Sequence, residues 1–371
     1  MGPALARRPL LLLQGVTANR RRPDLDALAA ETRPERFVWR ILPHAARSFA
    51  ASIVVLPREQ ARAAAVAYLY CRMLDTYEDL HPDAAARPDE LRRFAARFGA
   101  GLPAPSPIDD ALARDDRDRL NLLLVDRCSH VDAVFATLDT RVQEQIGALA
   151  RSMADGMVWS SETFARQGGV LADEEQLTRY CRNVIGFPAV FVIDLISGGD
   201  CPPAAREDAF EVSELIQLAN VTRDIETDLA RGIAYHPALK PYLRSADDDG
   251  TTRAVVREVR EEYLRLALGR AGAYRRLFDR LDLGGTAAVR TAAVLMLLFT
   301  DLHYRGCAAR TGHRPWPGPG GRFGVVAGSL PALLSPRWAK LIVDRVERDF
   351  LRAARGLRPL RPGAPAAPAA A

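Results

Sequence analysis

Two acidic clusters carry the side chains of this chain best suited to chemistry. The first reads Asp75-Thr76-Tyr77-Glu78-Asp79, the second Asn220-Val221-Thr222-Arg223-Asp224-Ile225-Glu226-Thr227-Asp228. In each, two aspartates stand four residues apart inside a helix-periodic stretch, so both carboxylates leave one helix face a turn apart. Two facing helices of this kind can hold Mg²⁺, a hard ion that takes oxygen ligands and commonly bridges a few carboxylates to a phosphate. The pattern predicts a metal-mediated grip on a diphosphate.

The neighbours of these acids extend the pattern. Tyr68, Arg72, Asp75 and Asp79 form one helical stripe, with Glu78 on its edge. Taken alone, that stripe is equally well a solvated face with an Arg72–Asp75 ion pair, which would be worth little at a surface. Gln217, Asn220, Asp224 and Asp228 form a second stripe that Arg231 continues. Leu215, Ile216, Leu218 and Ala219 flank it. Polar side chains in so apolar a helix belong at an internal cavity rather than in bulk water, and having the arrangement twice favours a site. In Ala46-Arg47-Ser48-Phe49, Arg47 offers a fork of N–H donors suited to phosphate oxygens and Ser48 a hydroxyl. By themselves these two read more simply as an exposed helix face. Tyr180, opening the apolar run Tyr180-Cys181-Arg182-Asn183-Val184-Ile185-Gly186, could aim a phenol into a cavity; alone it reads as a tyrosine packed at a helix start.

The elements that must position these groups are helical throughout. Ala, Leu and Arg dominate the long segments and β-branched alternation is rare. The periodicity predicts helices near 33–54, 58–80, 89–99, 108–125, 128–165, 174–199, 204–231, 252–281, 285–311 and 330–355. A kink is expected at Pro188 and a loop over 312–321. The simplest organisation is an N-terminal extension over 1–32, one all-α domain over 33–356 and a disordered Pro/Ala tail over 357–371.

Composition narrows the function classes. With 371 residues, 48% of them hydrophobic and 26% charged, the chain can bury a large core. The net charge of +5 comes from basic residues interleaved with acids, which points to solvated helix faces and not to a nucleic-acid surface. A basic exterior favours anionic substrates or lipid surfaces. The five cysteines contain no CxxC pair and the dispersed histidines no HExxH, which argues for a reducing compartment and against structural zinc. No run reads as long enough to cross a bilayer. Residues 9–16, with four leucines after Arg7-Arg8, resemble a short signal peptide without a clear cleavage site, so a cytoplasmic location is expected.

In order along the chain, these residues resemble the squalene and phytoene synthase family of head-to-head prenyl diphosphate synthases. Ala46 to Phe49, Tyr68 to Asp79, Tyr180 with Val184 and Gly186, and Gln217 to Asp228 followed by Arg231-Gly232 and Tyr235-x-Pro237 are each similar to a family motif. The Leu74-Asp75-Thr76-Tyr77-Glu78-Asp79 wording leans toward squalene synthases. The resemblance implies the isoprenoid-synthase fold, a single helical domain with a deep central cavity. It implies Mg²⁺ held by Asp75, Glu78, Asp79, Asn220, Asp224 and Asp228, and diphosphate held by Arg47, Ser48, Arg72, Gln217, Asn220 and Arg231. Tyr68, Arg223 and Tyr180 would act in catalysis, with Tyr180 handling a proton near the carbocation. Phe49, Phe187, Phe191 and Phe299 are candidate cavity walls.

The implied activity is condensation of two farnesyl diphosphates, with NADPH use and oligomeric state left open. Peripheral membrane contact for release of a hydrophobic product is a further expectation. Three departures keep alternatives in play: Thr227 stands where the family usually has Glu, Leu80 where an acid is frequent, and Asp301-Leu302-His303-Tyr304 where an Asn-rich stretch is expected. No C-terminal membrane anchor is read in the sequence. A cyclase or aromatic prenyltransferase using one prenyl diphosphate, or an inactive helical scaffold, are the rival readings.

Overall fold

The computed structural model describes residues 22–83, 85–199, 201–244, 250–281 and 286–357. The leucine run at 10–13 and all but the first residue of the Pro/Ala tail lie outside them. The described chain is all helical. It begins with α1 (Leu25–Ala29), α2 (Pro34–Ala46), α3 (Ser48–Val55), α4 (Arg58–Leu80), α5 (Arg87–Ala96), α6 (Asp116–Asp126), α7 (Cys128–Phe135) and α8 (Thr140–Gln167). It continues with α9 (Glu174–Cys181), α10 (Phe187–Ile196), α11 (Pro203–Ala230), α12 (Gly250–Gly269), α13 (Ala271–Arg280), α14 (Ala287–Arg310), α15 (Gly321–Leu334) and α16 (Pro336–Gly356). The sole strand-like feature among them is a single parallel bridge between Val170 and Ala234.

Several predicted helices are divided. The stretch 33–54 breaks at Arg47, whose φ of 54° lies in the left-handed region that a non-glycine residue enters only under constraint. The stretch 128–165 breaks before Asp139, whose carboxylate accepts from Arg141 N and caps α8. Within 174–199 the expected kink takes the form of a π-helical turn, Arg182–Gly186. Pro188 then falls in the first turn of α10, where its missing N–H costs nothing. The stretch 252–281 is divided at Arg270. Residues 312–320 form the expected loop, but α15 already begins at Gly321, and Ser335 caps α16 as a separate helix.

Helices α4, α11 and α14 carry much of the site, and polar pairs on the outer faces of α4 and α11 hold those two in place. Behind α4, Tyr70 donates to Asp132 Oδ1 at 2.7 Å, and Arg97, only 2% exposed, pairs with Asp132 Oδ2 at 2.7 Å. Behind α11, the buried Glu214 receives Arg182 Nε at 2.7 Å from the π turn and also Arg270 from the α12–α13 junction. The buried Asp208 receives Arg276 at 2.8 Å and Arg280 at 2.6 Å, both from α13. Such pairs add little net stability but are costly to break singly, so they fix the register of α11.

The third long helix, α14, corrects the expectation that no run could cross a bilayer. By length and composition it could, yet 67% of that stretch is buried inside the protein, where it packs on α3, α15 and α16.

The π turn needs Gly186. A Cβ there would stand 2.7 Å from Phe210 Cδ1 and 3.1 Å from Ser213 Oγ. Gly186→Ala is expected to destabilise the protein by about 1–3 kcal/mol through overpacking. Thermal unfolding followed by circular dichroism should show a fall of a few degrees, and an unchanged melting temperature would show that Phe210 yields freely.

Candidate active site

A cavity of about 1280 Å³ runs between α4 and α11 and is closed by α3, α8, α10 and α14. Every site residue expected from sequence lines it: Arg47, Ser48, Tyr68, Arg72, Asp75, Glu78, Asp79, Tyr180, Gln217, Asn220, Arg223, Asp224, Asp228 and Arg231. The two stripes therefore face each other. Arg231 Nη1 lies 4.0 Å from Asp79 Oδ1, joining the end of one motif to the other.

The carboxylates are crowded. Burial, then the neighbouring Asp79, raises the pKa of Asp75 to about 6, although Arg72 pulls the other way. Burial, then Asp79 and Asp75, raises Glu78 to about 8. Burial, then Asp224 and the opposing Asp79, raises Asp228 to about 7. Glu78 Oε1 accepts from Ser160 Oγ at 3.1 Å, and Gln217 Oε1 accepts from Asn220 Nδ2 at 3.0 Å.

Opposing charge comes from arginines. Arg72 bonds Asp75 Oδ2 at 3.1 Å and Tyr68 OH at 3.0 Å, and its Nε is buried without a hydrogen-bond partner. Arg223 clasps its neighbour Asp224 through Nε at 2.7 Å and through Nη2, while its Nη1 lies 3.3 Å from His303 Nδ1. Arg47, placed by the break between α2 and α3, is held down to about 10 by burial and by Arg117, Arg223 and Arg322. His303 is pushed down to about 4 by burial and the surrounding Arg223, Arg322 and Arg47, so it is neutral. Asp224, clasped by Arg223, offsets part of this positive charge.

An aromatic group lies at the Glu78–Asp228 end. Tyr180 OH and Tyr235 OH are 3.1 Å apart, and Phe164 stands edge-on to both rings. Burial raises both phenol pKa values well above the ordinary range, so the hydroxyls keep their protons. Tyr235 reaches this position because Ala234 N donates to Gly169 O at 2.8 Å and Leu171 N to Ala234 O at 3.0 Å, stitching the loop after α11 to the loop after α8. Gly169, with φ of 90°, permits the approach: a Cβ there would lie 2.3 Å from Gly232 O.

Sequence reasoning missed Arg117, Tyr235, His303 and Arg322 as cavity residues. Arg117 sits in Asp115-Asp116-Arg117-Asp118-Arg119, which reads as a solvated charged turn, and Arg322 follows a glycine-rich loop. Among the expected aromatic walls, Phe49 and Phe191 line the cavity. Phe187 instead packs edge-on against Phe210, and Phe299 is buried in the core at 3% exposure.

The departures from the family pattern also find their places. Thr227 is solvent-exposed and off the cavity, and Glu226 turns away to a bidentate pair with the buried Arg260. Leu80 is buried. Asp301 is structural: it accepts from Trp316 Nε1 at 2.7 Å and Arg305 Nε at 3.0 Å, and Arg305 in turn holds Pro319 O at 2.6 Å. Tyr304 donates to Leu215 O, while Leu302 and His303 face the cavity.

The donor set suits Mg²⁺. It is all oxygen, it pairs carboxylates on two helices, and the raised pKa values mark negative charge that lacks sufficient compensation. No three Asp, Glu, His or Cys side chains among the described residues converge on one point. Mg²⁺ asks for less than that, one or two carboxylates completed by phosphate oxygens and water. Asp75 and Asp79 on one side, and Asp224 and Asp228 on the other, are the residues that would hold it.

The squalene/phytoene synthase model matches residues 42–311, most of the chain and every cavity residue named above except Arg322. The chain belongs to the squalene/phytoene synthase family. It is 29% identical over 217 residues to a squalene synthase of Eremothecium gossypii, a stretch covering 57% of this chain and 47% of that protein. It is 28% identical over 198 residues to Squalene synthase BSS of Botryococcus braunii, covering 52% of this chain and 40% of that one. A 4,4'-diapophytoene synthase of Staphylococcus haemolyticus is 23% identical over 206 residues, covering 54% and 61% respectively. The matched stretches thus span less than half of both squalene synthases. Among solved structures, a complex of TcSQS with the ligand BPH1237 superposes with a TM-score of 0.65 at 18% identity, covering 88% of this chain and 99% of the other. The isoprenoid-synthase fold is thereby shown.

The family's acidic site stores repulsion that a cation would relieve. Glu78 costs the folded protein stability once it ionises, that is, as pH rises from its ordinary value of 4.5 through about 8. Glu78→Gln is expected to raise the melting temperature of the metal-free protein at pH 8 and to shrink the further rise on adding Mg²⁺ with pyrophosphate. An equal or lower metal-free melting temperature would contradict the crowding.

Proposed function

We propose that this protein is a Mg²⁺-dependent prenyl transferase of the squalene synthase type, joining two farnesyl diphosphates head to head with loss of diphosphate. The observation that carries this reading is the cavity. It has a charged end and an apolar wall of Ile193, Val289, Ala292 and Met296, and at about 1280 Å³ it exceeds the roughly 300–1,000 Å³ usual for a single small ligand. Two C15 chains ask for such a space, whereas cyclising one asks for a compact pocket.

In this reading Arg47, Arg72, Arg223 and Arg231 hold phosphate oxygens, with Ser48 and Asn220 completing the polar lining. Bound Mg²⁺ would neutralise the charge that builds on the departing diphosphate. Arginines placed beforehand in a partly dry site lower the same barrier without reorganising. The apolar wall excludes water that would quench the allylic cation. The faces of Phe164, Tyr180 and Tyr235 offer it cation–π stabilisation. The first ionised C1 adds to the double bond of the second chain, and loss of one proton closes a cyclopropane. The hydrogen-bonded Tyr180–Tyr235 hydroxyls are the groups suited to carry that proton. Loss of the second diphosphate leaves a cation that a hydride from NADPH would quench to the C30 hydrocarbon. The match to a 4,4'-diapophytoene synthase supports the coarser reading, a head-to-head condensation of prenyl diphosphates, equally well.

The test is product identification. Purified protein with Mg²⁺ and C10, C15 or C20 diphosphates, with and without NADPH, is expected to give C30 product from the C15 substrate. C15 products alone, or prenylated aromatics when an acceptor is added, would replace this reading by a cyclase or an aromatic prenyltransferase, and no pyrophosphate release at all would indicate a scaffold. Asp75→Ala is expected to lower pyrophosphate release by about 10²-fold or more, several kcal/mol of transition-state stabilisation, with the fold intact. Turnover near that of the unmodified protein would remove Asp75 from the metal site.

A further inference from the structure

The described surface concentrates its exposed large hydrophobic side chains in one place. Phe323, Leu330, Leu333, Leu334, Trp338 and Leu341 are between 43% and 83% exposed, and all six belong to the α15–α16 hairpin. On α15, Phe323, Ala327, Leu330 and Leu334 follow one another at steps of four, three and four, a single outward stripe. From Leu334, the last residue of α15, the outward stripe continues on α16 through Arg337, Trp338, Leu341, Arg345 and Arg348, apolar at the apex and charged further along, where Arg345 Nε lies 3.8 Å from Asp349 Oδ2. Residues 321–343 contain Arg322, Arg337 and Lys340 and no Asp or Glu.

The apex is held in position from within. Arg290 of α14, only 5% exposed, donates to Ala332 O at 2.6 Å and to Leu333 O at 3.2 Å, satisfying carbonyls at the end of α15 that would otherwise be orphaned. At the other end Arg305 holds Pro319 O, so α14 and α15 run antiparallel. The cavity uses the same axis. Along α14 its lining passes from Arg310 and His303 at the charged end to Met296, Ala292 and Val289 at the apolar end. Val289 is the direct neighbour of Arg290, so the exposed apex lies beside the apolar end of the cavity.

We infer that the α15–α16 hairpin docks on an anionic lipid bilayer, placing the apolar end of the cavity against the membrane. Leucine, phenylalanine and tryptophan enter the headgroup–acyl boundary, and Arg337, inside the acid-free stretch, meets the anionic headgroups beside them. Tryptophan suits that boundary because it joins a large apolar body to one polar N–H. The absence of acids from 321–343 is the charge complement of such a surface. Continuity with the apolar cavity selects a lipid over a second copy of the chain. Why that end should face a bilayer rests on the proposed prenyl substrates, but docking itself requires no turnover, so the two readings fail separately.

The experiment is flotation of the full chain with vesicles of phosphatidylcholine alone and of phosphatidylcholine with about one-third phosphatidylglycerol. The protein is expected to float with the anionic vesicles. Leu334→Ser with Trp338→Ser and Leu341→Ser is expected to lower its partition more than tenfold, with pyrophosphate release from substrate in solution unchanged. Arg337→Glu is expected to weaken binding to the anionic vesicles. Lipids brominated near the headgroup should quench the tryptophan fluorescence of the unmodified protein and spare Trp338→Phe, a readout that holds even if the triple variant unfolds. Protein that stays in solution with both vesicles, a triple variant that floats as well as the original, or a dimer in light scattering that the triple variant converts to a monomer would overturn the inference.

Discussion

Everything in this structure is arranged around a repulsion. Asp75, Glu78 and Asp79 on α4 confront Asp224 and Asp228 on α11 across one cavity, and burial makes the charge of Asp75, Glu78 and Asp228 expensive. Left to relax, two such helices would move apart or admit water. The scaffold prevents both by anchoring each helix on its far side, α4 through Tyr70, Asp132 and Arg97, α11 through Glu214 and Asp208 with their arginines. These outer pairs contribute little net free energy. Their use is positional, since they hold the inner carboxylates facing one another across the cavity.

The cavity divides its polarity along its length. Arginines and carboxylates occupy one end, while small and branched apolar side chains from α10 and α14 occupy the other. The proposed ionisation needs a charged end that receives diphosphate, and the cation it would leave needs a dry end that does not react with it. Local irregularities serve this division. The left-handed Arg47 turns a guanidinium inward between two helices, the π turn at Arg182–Gly186 reseats the α9–α10 segment behind Tyr180, and the Gly169–Ala234 stitch brings Tyr235 against Tyr180. Strained or irregular backbone is thus found around the cavity, as expected when local preference yields to a site.

How much of this was legible beforehand follows from the range of each interaction. Helix content and the two acidic stripes are local properties, set by side-chain periodicity over a turn or two, and Asp75 to Asp79 and Gln217 to Asp228 could be placed on common faces from spacing alone. The helix breaks at Arg47 and Arg270 escaped, because neither residue is itself a helix breaker, whereas the break at Ser335 is written locally, since Pro336 cannot continue the preceding helix and Ser335 caps the next. Arg117 and Arg322 escaped for another reason: an arginine among charged or glycine-rich neighbours looks solvated until a distant segment closes over it.

The sequence by itself therefore determined an all-helical chain whose two carboxylate stripes, with Arg47, Arg72 and Tyr180 nearby in pattern, had the composition of a metal–diphosphate site. Only the tertiary structure decided that the stripes face each other, that Glu226 turns out to Arg260 while Asp228 turns in, and that His303, Tyr235 and Arg322 join them. It alone decided, too, that the apolar α14 is core while the outward leucines of α15 and α16 stay exposed. The physical reason is that spacing along a helix specifies which side chains share a face, whereas what that face meets depends on contacts between segments far apart in the chain.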